Sequence, residues 1–407
     1  MSTFQVNHPF LPSTEILKKY AELLVNFALG DDEGIKTGEV VELVVPDVAK
    51  ALALQLQNSV LKAGGHPLLR LLPTGFDQHF FELADPQQLQ FFPDRYIKSR
   101  IELIDHQIGI IADVNPFELI NTDPEKILLS RDSKQKAREW LIDKETQGKF
   151  TWTLALWGVQ AKASIVGLSL EEYWQQIINA CFLDQSDPIA QWRRVKDLQL
   201  TIRKKLNQLK IDRLIIKGSH VDLVVKLGSE RAWKGGADRN IPSFELFTSP
   251  DWRGTEGWIE FNQPVYRYGN HMDGVKLEFH QGVVTKAKAK QGQKLLDQML
   301  KSSNANKIGE FSLTDSRLSR ITHLMAETLY DENIGGPFGN MHLAIGSAYR
   351  DCYDGDASQV SRAEWKKMGY NESPEHTDIV STEDRTVSAI LMDGSELMIY
   401  SDGKYVL

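Results

Sequence analysis

The last third of the chain holds the residues best suited to chemistry. In Asn371-Glu372-Ser373-Pro374-Glu375-His376-Thr377-Asp378 a histidine and an aspartate stand two residues apart. On an extended chain, side chains i and i+2 share a face, so His376 and Asp378 can reach one cation together. An acidic surface loop would have the same composition, so the spacing gains meaning only beside other donors. A second group runs from Asp331-Glu332-Asn333 through the glycine-rich Gly335-Gly336-Pro337-Phe338-Gly339 to His342, Gly346 and Tyr349. Those glycines predict irregular backbone, a loop entering a site. Taken singly, His342 reads as a histidine satisfied by a backbone hydrogen bond, and Tyr349 as a core residue. Glu245 and Glu310 each lie among apolar neighbours. A carboxylate on that background is exposed, paired or metal-bound, because burying it uncompensated is costly. Hard oxygen donors mixed with imidazoles are what divalent ions take, and such sites tolerate wide separation in sequence.

The rest of the chain must position these groups. Its 407 residues, 42% hydrophobic and 25% charged, are enough for two or three domains. Tyr20, Leu23, Leu24 and Phe27 share one helical face. The run Val40-Val41-Glu42-Leu43-Val44-Val45, ended by Pro46, predicts a buried strand. Leu52, Leu56 and Val60 mark a helix over 48–61 closed by Gly64-Gly65. Further strands are expected at 68–72, 108–112 and 151–157, giving an α/β domain with a parallel sheet over residues 1–230. Gly34, Gly38 and Gly64-Gly65 lack the spacing that cradles a pyrophosphate, so the sheet carries no dinucleotide fingerprint. A charged helix is expected from Ile189 towards Leu209, followed by paired strands at 214–216 and 223–225.

From Trp233 onward, glycines and prolines break the chain into short pieces. Hairpins are predicted across Gln281-Gly282 and Asp393-Gly394, and an amphipathic helix over Leu318–Leu329. Residues 231–407 therefore read as a β-rich, mixed α+β domain that presents the chemistry on loops.

A net charge of -8 gives no electrostatic reason to bind nucleic acid or an anionic membrane. Two cysteines, Cys181 and Cys352, make no disulfide framework and point to a reducing compartment. The start, with Asn7-His8-Pro9 before Phe10, has no basic stretch leading into an apolar run, and no later segment approaches about 18 apolar residues in a row. A cytoplasmic protein is expected.

In order and spacing, these motifs resemble the aminopeptidase T and aminopeptidase S family of thermophilic-type dinuclear metalloaminopeptidases. The resemblance covers most of the chain. It rests on Tyr20-Ala21-Glu22-Leu23-Leu24-Val25, Asn240-Ile241-Pro242 with Glu245, Gly309-Glu310, Asp331-Glu332-Asn333, His342 with Gly346 and Tyr349, and Asn371 with His376 and Asp378. It implies that Glu245, Glu310, His342, His376 and Asp378 hold two divalent ions per chain (zinc, cobalt or manganese), with Tyr349 beside them. A water bridging the two metals would then be the nucleophile, and Tyr349 would donate to the tetrahedral oxyanion. Glu310 or Glu332 would relay a proton to the leaving amine, and Glu332 could bind the substrate's ammonium. Peptides with a free N-terminus are the implied substrates and a homodimer the implied assembly. Phe244 departs from the pattern, standing where the family usually has a glycine, so pocket preference is not implied.

A different class stays open. His342, His376 and Asp378 alone would make the two-histidine, one-carboxylate site of a mononuclear non-haem iron ring-cleaving dioxygenase. That reading leaves Glu245 and Glu310 without a task. A non-catalytic binding protein on the same fold would be expected to lack donors, and here all of them are present.

Overall fold

The computed structural model describes residues 10–228 and 230–407, so the Asn7-His8-Pro9 start lies outside the described residues. The expected parallel sheet is there. Its four strands lie in the order His66–Leu72, Val40–Pro46, His106–Ile111, Thr151–Leu156, all parallel. Val41, Leu43 and Val45 of the second strand are fully buried, as the apolar run requires. The helix Lys50–Lys62 buries Leu52, Leu56 and Val60 against it, and Gly64 closes the turn at φ +82°. The helix Thr14–Asn26 begins at Ser13, whose side chain accepts the Ile16 N–H. Five helices follow between Asp77 and Thr146, among them Pro124–Asp132 and Gln135–Thr146.

The carboxyl-terminal half folds as two antiparallel sheets. One has eight strands in the order Val283–Lys288, Lys276–His280, Glu256–Glu260, Val221–Lys226, Ile211–Gly218, Thr386–Leu391, Glu396–Ser401, Lys404–Tyr405. The strands Ile211–Gly218 and Val221–Lys226, grouped by sequence with residues 1–230, are thus hydrogen-bonded into the carboxyl-terminal half. Their inward residues Leu214, Ile216, Leu223 and Val225 belong to its core. The expected charged helix, Pro188–Gln208, spans both cores: Trp192 and Val195 pack in the first, Ile202 and Leu206 in the second. Both predicted hairpins form, with Gln281, Gly282 and Gly394 at positive φ.

Two expectations fail locally. The helix predicted over Leu318–Leu329 is mostly absent; only Thr328–Asp331 is helical. Leu318, Ile321, Met325 and Leu329 do bury, so the apolar spacing was real. The Asp331 carboxylate accepts the Met325 N–H (2.7 Å) and the Glu327 N–H (2.9 Å), and Ala326 sits at φ +50°. Side-chain bonds thus satisfy backbone groups that helix bonds would otherwise take. His342 was expected at the end of a loop but lies in the strand Asn340–Gly346.

Cys181 and Cys352 are free and buried, and burial pushes the Cys181 thiol up to about 12. Among the described residues, no helix is long and apolar enough to cross a membrane.

Candidate metal centre

The second sheet has five strands in the order His376–Ser381, Asn340–Gly346, Ile308–Thr314, Glu245–Thr248, Lys234–Gly235, all antiparallel. Period-two alternation divides their side chains. Leu246, Phe311, Leu313, Leu343, Ile345 and Ile379 enter the core shared with the eight-stranded sheet. Glu245, Glu310, Ser312, His342, His376 and Asp378 therefore share the opposite face. Register decides which of them meet: Ser312 lies across from His342, Thr314 from Glu245, Ala344 from both Glu310 and Asp378, and Gly346 from His376. Alanine at 344 leaves room between the two carboxylates. Gly346 is at φ +105°, and a Cβ there would fall 2.2 Å from the Glu375 carbonyl oxygen, so the turn into the His376 strand requires glycine.

Glu245, Glu310, Glu332, His342, Tyr349, His376 and Asp378 all come together. His342 Nε2 is 3.2 Å from Glu245 Oε2, 3.4 Å from Glu310 Oε1 and 3.9 Å from Asp378 Oδ1. His376 Nε2 is 3.3 Å from the other Glu310 oxygen and 3.5 Å from Asp378 Oδ1. Three sets of donors lie within 4.8 Å of one another: Glu245 with Glu310 and His342; Glu310 with His376 and Asp378; and Glu332 with His342 and Asp378. The Tyr349 ring packs edge-on against His376, centroids 4.8 Å apart. The neighbours Asp331 and Asn371 have other tasks. Asp331 holds backbone amides, and the Asn371 amide donates to the carbonyls of Asn304 and Gly346. Phe244 stacks on Trp192 (5.1 Å) in the amino-terminal core, away from these donors, and its N–H is held by Asn333 Oδ1 (2.7 Å).

Further polar residues brace the set. Ser312 Oγ donates to Glu245 Oε2 (2.9 Å) and Ser243 Oγ to its partner oxygen (3.2 Å). His376 Nδ1 meets the Ser347 carbonyl at 2.8 Å, which turns Nε2 towards the carboxylates. Ser312 was detectable in sequence, two residues after Glu310 on the same strand face. The Ser347 carbonyl carries no sequence signal.

Four carboxyl groups surround two imidazoles, and the protonation states reflect that excess of negative charge. Burial pushes the Glu245 carboxyl up to about 7, with His342 opposing. Burial, with Glu245, Asp378 and Glu310 nearby, drives Glu332 well above the carboxylate range. Burial disfavours a charged His342, but the Glu310 bond and the Glu245 charge raise it to about 9. His376 rises to about 10 in the same way, against burial, chiefly through Asp378. Asp378 itself is held low against burial by the charge of His376. Tyr349 is raised far above its usual range by burial and by Glu310.

The donor set fits a divalent cation. Tetrahedral bonds of ~2.1 Å place neighbouring donors ~3.4 Å apart, close to the spacings here. Asp378 Oδ1 is buried and has no hydrogen-bond partner, although it points at both imidazoles. The oxygenase alternative gains no support, because Glu310 sits between the two imidazoles that such a site would use without it. The side chains of His376 and Asp378 are 15% and 16% exposed while Glu245, Glu310 and His342 are buried, so the donor set is least covered at His376 and Asp378.

The family profile described as thermophilic metalloprotease matches residues 13–405. Aminopeptidase T of Thermus aquaticus is 28% identical, over 97% of this chain and 99% of that protein. Aminopeptidase PepS of Streptococcus thermophilus is 25% identical over 97% and 98%, and aminopeptidase AmpS of Bacillus subtilis 26% over 96% and 98%. The solved structure of wild-type AmpT from Thermus thermophilus superposes with a TM-score of 0.81, covering 96% of this chain and 99% of that one at 22% identity; it establishes the shared fold.

Proposed function

This chain belongs to the thermophilic metalloprotease family and is a peptide-bond hydrolase, and from that premise we propose that it is an aminopeptidase with a two-ion centre. One ion would be held by Glu245, Glu310 and His342, the other by Glu310, His376 and Asp378. The observation that carries this reading is the Glu310 carboxylate, which directs one oxygen to His342 Nε2 (3.4 Å) and the other to His376 Nε2 (3.3 Å). A carboxylate so placed would serve both neighbouring half-sites. Zinc, cobalt and manganese all suit its oxygen and nitrogen donors. When bound, such ions supply Lewis acidity and an acidified water at neutral pH.

The chain's own residues complete the reaction. Glu332 lies within reach of His342 and Asp378, while Glu310 is engaged by both imidazoles. Its reach to His342 and Asp378 makes Glu332 the favoured carboxyl to move a proton towards the leaving amine, and it could also face the ammonium of a substrate's first residue. Tyr349, braced against His376, would donate a hydrogen bond from its hydroxyl to the developing oxyanion and keep its proton. Peptides with a free N-terminus would enter where the donors are least covered, at His376 and Asp378. The relatives named aminopeptidase T, PepS and AmpS support this substrate class. Two copies would associate through the sheet edge His66–Leu72, where Leu69 and Leu71 are each 42% exposed. With no disulfide, a cytoplasmic location fits.

A panel of aminoacyl chromogenic substrates, with and without added zinc, cobalt or manganese, tests this function. Cleavage confined to substrates with a free amine is expected; equal cleavage of amine-blocked substrates would overturn it.

A further inference from the structure

The backbone leading into His376 is held from the other lobe. Glu375 is fully buried, and its carboxylate accepts hydrogen bonds from Arg131 Nη1, from Tyr268 Oη (3.0 Å) and from Thr377 Oγ1. Arg131 belongs to the amino-terminal helix Pro124–Asp132 and also reaches Tyr268 Oη (2.9 Å) and Ser302 Oγ (3.0 Å). On the following helix, Gln135–Thr146, Arg138 Nη1 donates to the Pro374 carbonyl at 2.7 Å. His376 follows directly, its own carbonyl accepting from Arg267 Nη2 at 2.7 Å. Without Arg131 the buried carboxylate would keep Arg267 Nη2, 4.0 Å away, as its remaining cation, so the Arg131 contact constrains the backbone rather than decorating a surface.

The helix Gln135–Thr146 also touches other segments that carry site residues. Asp143 accepts from Arg350 Nη1 (3.1 Å), next to Tyr349, and Glu145 accepts from Arg239 Nε (2.9 Å), in the loop that leads to Glu245.

We propose that Arg131 and Arg138 are positioning residues: docking of the helices Pro124–Asp132 and Gln135–Thr146 on Pro374 and Glu375 sets His376 and Asp378, and so tunes the half-site Glu310–His376–Asp378 for its ion. This rests on the two-ion reading above. A merely structural contact would lower stability and leave the two half-sites equally affected. A positioning contact weakens one ion and spares the other.

The test is titration of the metal-free full chain with zinc against a competing chelator, for wild type, Arg131→Met, Arg131→Lys and Glu375→Gln, with melting temperature recorded for each. In Arg131→Met, one ion should bind as in wild type and the second more weakly, by up to about 10-fold, the lower end of what losing a ligand's own hydrogen-bond partner costs. Arg131→Lys should recover part of that loss. Glu375→Gln should reproduce it, and the double variant should be no worse than the weaker single one. Wild-type affinity for both ions in folded Arg131→Met overturns the proposal, as does equal weakening of both that follows melting temperature. If Arg131→Met does not fold, Arg138→Ala, which loses a bond to one backbone carbonyl, decides the matter by the same criterion. A wild type that takes up one ion only overturns the two-ion reading instead, and the positioning role then stands or falls on whether Arg131→Met weakens that ion.

Discussion

His376 makes three kinds of contact, and each has a different consequence when lost. Its Nδ1 meets the Ser347 carbonyl, its ring supports Tyr349, and its Nε2 faces Glu310 and Asp378. None of these belongs to the core beneath the sheet, so His376→Ala should leave circular dichroism unchanged while metal and activity are lost together. Full metal content with retained hydrolysis would contradict the assignment of this residue. Tyr349→Phe keeps the ring against His376 and removes only the hydroxyl donor. It should lower kcat by about 100-fold, roughly 3 kcal/mol, with KM little changed; steady-state kinetics with near wild-type kcat would leave Tyr349 a packing residue. At this scale the sequence was most legible, because His376 and Asp378 at i and i+2 announce a shared strand face. Arg131 and Glu375 were not legible, since 244 residues separate them and nothing in either neighbourhood names the other.

Among the elements, the strands of the five-stranded sheet do most of the positioning, with core residues on one face and donors on the other. Hairpins declared themselves through Gln281-Gly282 and Asp393-Gly394, turns with strong local chemistry. The stretch Leu318–Leu329 misled, because an apolar period of three to four residues reports burial and not helix when a side chain such as Asp331 takes up the backbone donors. The same region carries a second interlobe link. Lys162, on the helix Gln160–Ile165, is buried and paired with Glu327 and with Asp113 (2.8 Å). Lys162→Met would leave Glu327 beside Asp331 and Glu332 without its cation. A loss of about 3–5 kcal/mol is expected, visible as a lowered melting temperature; an unchanged melting curve would show that the pair contributes nothing.

At the scale of the whole molecule, the amino-terminal lobe grips segments that flank the donors, at Pro374, Glu375, Arg350 and Arg239, and its own sheet ends in an exposed apolar edge. Leu68, Leu69, Leu71 and Leu72 of that edge are exposed, which makes it the candidate interface of the proposed dimer. If the chain is the proposed homodimer, Leu69→Asp combined with Leu71→Asp should convert it to a monomer in sedimentation velocity; a wild type that sediments as a monomer would overturn the dimer, and an unaltered dimer would move the interface elsewhere. How the lobes meet was invisible in sequence, because the long helix Pro188–Gln208 joins two cores without any break in composition. The central claim is that Glu310 bridges two half-sites. Counting ions per chain in protein purified without chelator tests it most directly: close to two, falling to one or fewer in Glu310→Ala, is the expected result, whereas one ion in both proteins would contradict it.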